Sequence, residues 1–148
     1  MSTQHDKIIR WFSDVDNTDV ASVGGKNASL GEIIKHLQPM GINIPQGFAT
    51  TAKAFERYLE ENELITPIQK QLDDYHRGDL TVEEAGRAIR KRIAKGHFPE
   101  DLEDSIRQAY QRLCNDYDMD NVDVAVRSSA TAEDLPSASF AGLHESFL

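Results

Sequence analysis

The spacing of apolar positions changes several times along the chain, and each change predicts an element. Ile8 to Phe12 is a short apolar run, and the Asp- and Asn-rich stretch Ser13 to Asp19 that follows predicts a strand ending in turns. Leu30, Ile33, Ile34 and Leu37 recur at helical spacing behind Val23-Gly24-Gly25-Lys26-Asn27, so the glycine pair stands at a helix entrance. Pro39 and Gly41 end that helix. Ile42 to Ala49 reads as extended with a turn, and Thr50 or Thr51 can cap the helix that carries Ala54, Phe55, Tyr58 and Leu59.

The next stretch predicts helices in succession. One runs over Leu64 to Tyr75 with Pro67 in its first turn and ends at the turn Arg77-Gly78-Asp79. Thr81-Val82-Glu83-Glu84 has the form of a capping box ahead of Ala85, Ala88, Ile89 and Ile93, and Gly96 closes that helix. Pro99 opens the last one, through Leu102, Ile106, Ala109, Tyr110 and Leu113, before an acidic loop at Asn115 to Asn121. Val122 to Arg127 then alternates as a strand does and feeds the small polar run Ser128 to Ala132. Glu133 to Pro136 reads as a turn whose carboxylates are solvated, in preference to acid–base or metal-ligand roles. Glu145 to Leu148 enters a further strand with no strand after it, and the expectation is a chain, residues 1–148, that forms the first part of a longer domain.

Composition narrows the class. At 148 residues with 39% apolar content, one core is expected. The net charge of −9 disfavours general nucleic-acid binding, although one cleft can be locally positive on an acidic protein. No run reaches the ~18 apolar residues of a membrane span or has the form of a signal peptide, so a cytoplasmic protein without a membrane anchor is the default. Cys114, the one cysteine, falls near a helix's apolar stripe and reads as a small buried hydrophobe. The five histidines are scattered without the i, i+4 pairing of a zinc helix, and no metal site is assigned.

Two stretches carry candidate chemistry. Gly24-Gly25-Lys26 puts two residues without side chains and a cation where helix amides and the helix dipole favour an anion. It is neither a Walker A loop nor G-x-G-x-x-G, and by spacing alone it equally fits a plain turn with a solvated lysine. Arg127 closes the apolar strand ahead of Ser128, Ser129 and Thr131. Its planar fork suits two phosphate oxygens, with the hydroxyls as neutral donors, while a structural ion pair is the alternative.

The strings VGGKNASLGEII, IPQGFATTAKAF and VAVRSSATAEDLPSASFAG, in this order, resemble the N-terminal nucleotide-binding domain of the phosphoenolpyruvate synthase (pyruvate, water dikinase) family, from about Val23 to Leu148. The resemblance implies an α+β fold, the first lobe of an ATP-grasp-type nucleotide-binding domain with a helical insertion. It implies ATP with Mg2+ as ligands, and as partners in the same enzyme a second ATP lobe, a phosphohistidine domain and a pyruvate-binding barrel. The implied activity is a phosphotransferase converting pyruvate, ATP and water to phosphoenolpyruvate, AMP and phosphate, inactive in this portion alone. By motif, Lys26 and Arg127 are the catalytic cations on ATP phosphates, with Gly142 and Ser146 as further nucleotide contacts. The family's magnesium ligands correspond to positions beyond Leu148. Leu143-His144 stand where two glutamines are common, and Ser146 where threonine is. A rifampicin phosphotransferase-like ATP module and a stand-alone binding module are the rival readings.

Overall fold

The computed structural model describes residues 7–131 and the strand residues 146–147. The chain divides into two compact units, Met1–Ala54 with Asp104–Leu148, and Phe55–Glu103.

The first unit starts from a short antiparallel pair, β1 (Ile9–Trp11) against β2 (Phe48–Thr50), in the register Ile9 to Thr50, Arg10 to Ala49 and Trp11 to Phe48. The Trp11 and Phe48 rings meet at 5.6 Å between centroids, and the Arg112 guanidinium lies 4.1 Å over the Trp11 ring. Between the strands the chain makes two 3-10 turns, Phe12–Asp14 and Asn17–Asp19, then a four-residue helix α1 (Val20–Val23) and the longer α2 (Gly25–Leu37). Val15, Val23, Ala28 and Ala49 form the core, flanked by Phe12 and Val20.

Of the Leu30, Ile33, Ile34 and Leu37 stripe that apolar spacing predicts, Ile34 is fully buried and Leu30 and Leu37 are half-buried, and the buried face of α2 is turned toward its small residues. It consists of Gly25, Ala28, Gly31 and Ile34, while Ile33 is about half exposed. Small residues let the helix backbone approach the first 3-10 turn closely. A Cβ on Gly31 would overlap the Val15 carbonyl and lie 2.9 Å from the Phe12 carbonyl oxygen.

Local side chains fix the path from β1 to α1. Asp16 and Asp19 form a capping box over Asn17–Asp19. Lys35 Nζ donates to Asp16 Oδ2 at 2.8 Å, and this bond, reinforced by those from Thr18, holds the Asp16 carboxyl well below the usual carboxylate range. Deeper in, Arg10 is 3% exposed and grips both carboxylate oxygens of Asp19 at 3.2 Å, while also donating to the Asp14 carbonyl at 2.7 Å. Removing one partner strands a buried charge. Arg10→Met or Asp19→Asn should each lower stability by about 3 kcal/mol, with the double variant costing less than the sum, as urea unfolding will measure.

Helix α3 (Ala52–Glu61) follows β2, and Thr51, not Thr50, caps it by accepting from the Ala54 amide. In the second unit, α4 (Ile65–His76) and α5 (Val82–Ile93) pack together. The predicted capping box is present, with Thr81 Oγ1 accepting from the Glu84 amide at 3.2 Å and Glu84 Oε2 accepting from the Thr81 amide at 2.9 Å. Tyr58 ties this unit by donating to the Ile93 carbonyl at 2.7 Å and meeting the Phe98 ring, tilted, at 5.5 Å between centroids.

Helix α6 (Glu100–Asp116) begins just after Pro99 as expected and buries Cys114 completely in the first unit. Beyond it, regular strand structure is shorter than the alternation of 122–127 predicts. Only β3 (Val126–Arg127) forms, paired antiparallel with β4 (Ser146–Phe147). The predicted turn at Glu133–Pro136 and the positions Ala141 and Gly142 lie outside the described residues. The whole is an α+β arrangement, rich in helix with short antiparallel pairs.

Candidate functional site

Gly24 ends one helix and starts the next. Its amide donates to the Val20 carbonyl at 2.9 Å, closing α1, and its carbonyl accepts from the Ala28 amide at 3.1 Å, opening α2. The backbone there has φ 80° and ψ 159°, a conformation open in practice only to glycine. No side chain caps α2. The first-turn amides of such a helix point away from it without acceptors behind them, and the helix dipole adds positive potential. Lys26 stands exposed in this first turn.

The strand end arrives at the same place from far along the chain. Ser129 Oγ donates to the carbonyl of Val23 at 3.1 Å, across 106 positions of sequence. The same carbonyl accepts from Asn27 Nδ2 at 2.7 Å. Contact is close enough that a Cβ on Gly24 would overlap the Ser129 hydroxyl and lie 3.0 Å from the Ala130 carbonyl oxygen. The two motifs read from sequence therefore meet at Val23-Gly24 and Ser129-Ala130. Lys26 lies two residues past one side of this junction, and exposed Arg127 two residues before the other.

Arg127 also stands opposite Ser146 in the β3–β4 register, so two predicted site residues are cross-strand neighbours. Gly142 lies outside the described residues. Ser128 and Thr131 are exposed, whereas the Ser129 hydroxyl, expected as a donor to phosphate, is spent on Val23. A cleft along α4, bordered by Ile65, Thr66, Gln69, Lys70, Asp73 and Arg77, contains none of the motif residues. Its Arg77 is already paired with Asp74 and Asp79, which makes it a poor anion site.

Two residues escaped the sequence reading in their present role. Asn27 reaching back to a carbonyl four residues earlier is a local pattern that spacing can suggest. Ser129 has a partner so distant that no local signal exists.

The fold and junction define a class: an α+β domain that presents a glycine turn, helix amides and two exposed cationic side chains near one seam, a set suited to an anionic ligand. The family described as pyruvate phosphate dikinase, AMP/ATP-binding domain, matches residues 20–148, and the chain belongs to that family. It is similar to the phosphoenolpyruvate synthases of Aquifex aeolicus, at 46% identity over 142 residues, and of Escherichia coli K12, also at 46% over 142 residues. Each comparison covers 95% of this chain and 17% or 18% of the relative. The phosphoenolpyruvate synthase of Pseudomonas aeruginosa is 50% identical over 131 residues, covering 88% of the chain and 16% of that protein. The chain thus spans under a fifth of the length of these relatives. Among the described residues, no helix is long and apolar enough to cross a membrane.

Proposed function

We propose that this chain is the ATP-holding portion of a phosphoenolpyruvate synthase, a cytoplasmic phosphotransferase that converts pyruvate, ATP and water to phosphoenolpyruvate, AMP and phosphate through a phosphohistidine. Residues 1–148 are the N-terminal part of its nucleotide domain, the first lobe of an ATP-grasp-type fold, with the helices of the second unit as the insertion. A second ATP lobe, a phosphohistidine domain and a pyruvate-binding barrel complete the enzyme. The observation that carries this reading is the meeting of the Gly24 turn with the Ser129 strand end, in a chain whose family is an AMP/ATP-binding domain.

The residues fit a nucleotide triphosphate. The α2 entrance has no side-chain cap, and its first-turn amides can donate to phosphate oxygens. Lys26 supplies a compact charge, and Arg127 a planar fork for two oxygens. Fixed cations stabilise charge as it redistributes on the transferred group, which lowers the barrier without covalent chemistry by this chain. Gly142 and Ser146 are further nucleotide contacts. Mg2+, when bound with ATP, neutralises phosphate charge, and its protein ligands belong to the rest of the enzyme.

The test uses the protein expressed from its own gene, incubated with MgATP and pyruvate. Equal yields of phosphoenolpyruvate, AMP and phosphate, with an acid-labile phosphoenzyme as intermediate, are expected. Formation of ADP without phosphoenolpyruvate, or no nucleotide turnover, overturns the assignment.

A further inference from the structure

We propose that Ser129 is a positioning residue and not a phosphate ligand: its hydroxyl latches the strand end that carries Arg127 onto the glycine turn that carries Lys26, through the carbonyl of Val23. The proposal rests on the nucleotide reading above and assigns a role within that site.

The argument begins with donor counting. A serine hydroxyl has one proton to donate, and that of Ser129 is directed at Val23 O, 3.1 Å away. A phosphate oxygen at neutral pH needs a donor, so Ser129 can serve it only by releasing the carbonyl. That carbonyl has two lone pairs, and Asn27 Nδ2 takes the other at 2.7 Å. One carbonyl oxygen thus joins three segments: the end of α1, the first turn of α2 through Asn27, and the chain beyond β3 through Ser129. Val23, Gly24 and Gly25 are buried and Ser129 is half-buried, so water replaces a lost donor poorly. The absence of a side chain at Gly24 is what lets the hydroxyl approach. Lys26 stands three positions after Val23 and Arg127 two before Ser129, so opening of the latch changes their spacing directly.

The protein expressed from its own gene is compared with S129A and S129T. In the ligand-free state, S129A should speed exchange of the hydrogen-bonded amides of Gly24 and Ala28 by about three- to tenfold, the worth of one hydrogen bond, and S129T should restore it. MgATP binding, measured by titration calorimetry, should weaken by a similar factor in S129A and recover in S129T, while adenosine, which lacks phosphates, binds unchanged. N27A and S129A act on one carbonyl, so their effects on exchange should be non-additive. Weaker MgATP binding with unaltered ligand-free exchange would mean that the hydroxyl touches the nucleotide, and the latch is overturned. Equal weakening of MgATP and adenosine would reduce Ser129 to a general structural role and overturn the positioning. If the unsubstituted protein binds no MgATP, the nucleotide reading itself fails, and the exchange data still decide whether the latch exists.

Discussion

Gly24→Ala is expected to destabilise the first unit by about 3 kcal/mol or more and to abolish measurable MgATP binding. Two independent penalties act at this residue. The backbone at φ 80° and ψ 159° lies in a region that costs a side-chain-bearing residue about 1–3 kcal/mol. The added methyl group also overlaps the Ser129 hydroxyl and meets the Ala130 carbonyl oxygen at 3.0 Å, and relieving such overpacking costs a further ~1–3 kcal/mol. Either the turn reshapes or the strand end moves away, and both outcomes dismantle the junction. Gly41→Ala is the control, because Gly41 has φ 81° with nothing within 4 Å of a built Cβ. It should lose only the conformational part, about 1 kcal/mol. Gly41 is in the milder αL region, with ψ 9°, so urea unfolding of the two variants gives an upper bound on the cost of the close approach. A Gly24→Ala protein as stable as Gly41→Ala would show that the close approach to Ser129 has no energetic weight.

The same residue shows why some of the structure was legible and some was not. Two glycines before a run of helical periodicity announce a helix entrance, because only a local conformational demand is involved, and α2 begins at Gly25. The Thr81–Glu84 box and Pro99 ahead of α6 are equally local, and both stand where the pattern puts them. Burial is a different matter. Periodicity marks Leu30, Ile33, Ile34 and Leu37 on α2, and Ile34 is indeed buried, yet the neighbouring backbone at Phe12 and Val15 comes so near at Gly31 that the buried face is completed by Gly25, Ala28 and Gly31. Ile33 is turned outward, and Leu30 and Leu37 to the flanks, by a contact that the helix's own sequence does not encode. The stretch Ser13 to Asp19 reads as turns, and its Asp16–Asp19 box is visible in retrospect as a D-x-x-D pattern. The Arg10–Asp19 pair was invisible, since it joins a strand to a turn across nine positions by tertiary packing. Of the strand that alternation predicts over 122–127, Val126 and Arg127 are paired among the described residues, opposite Phe147 and Ser146. At the site, residue types named the two motifs separately. Their meeting is a long-range fact carried by Ser129 and Gly24.

Lys26→Ala and Arg127→Ala are each expected to reduce formation of the phosphoenzyme by about 10²–10³-fold in the protein expressed from its own gene, the usual cost of deleting one preorganised group that stabilises transferring charge. Both side chains are exposed, so neither truncation removes core packing, and unfolding midpoints should stay within about 0.5 kcal/mol of the unsubstituted protein. That separation distinguishes them from Gly24→Ala, where stability and binding fall together. Conservative changes should differ between the two positions. Lys26→Arg keeps the charge on a bulkier head at a helix entrance, whereas Arg127→Lys loses the fork that holds two oxygens at once, so charge alone should rescue Arg127 poorly. Quantifying the acid-labile phosphoenzyme after a single turnover, beside the MgATP dissociation constant, tells ground-state binding from stabilisation of the transferring group. If the two residues act on one phosphate chain, the double variant should lose much less than the product of the single effects, because a site missing one cation is already misaligned for the other. Strictly multiplicative losses would place Lys26 and Arg127 in separate environments, and near-normal phosphoenzyme in either single variant would remove that residue from the chemistry.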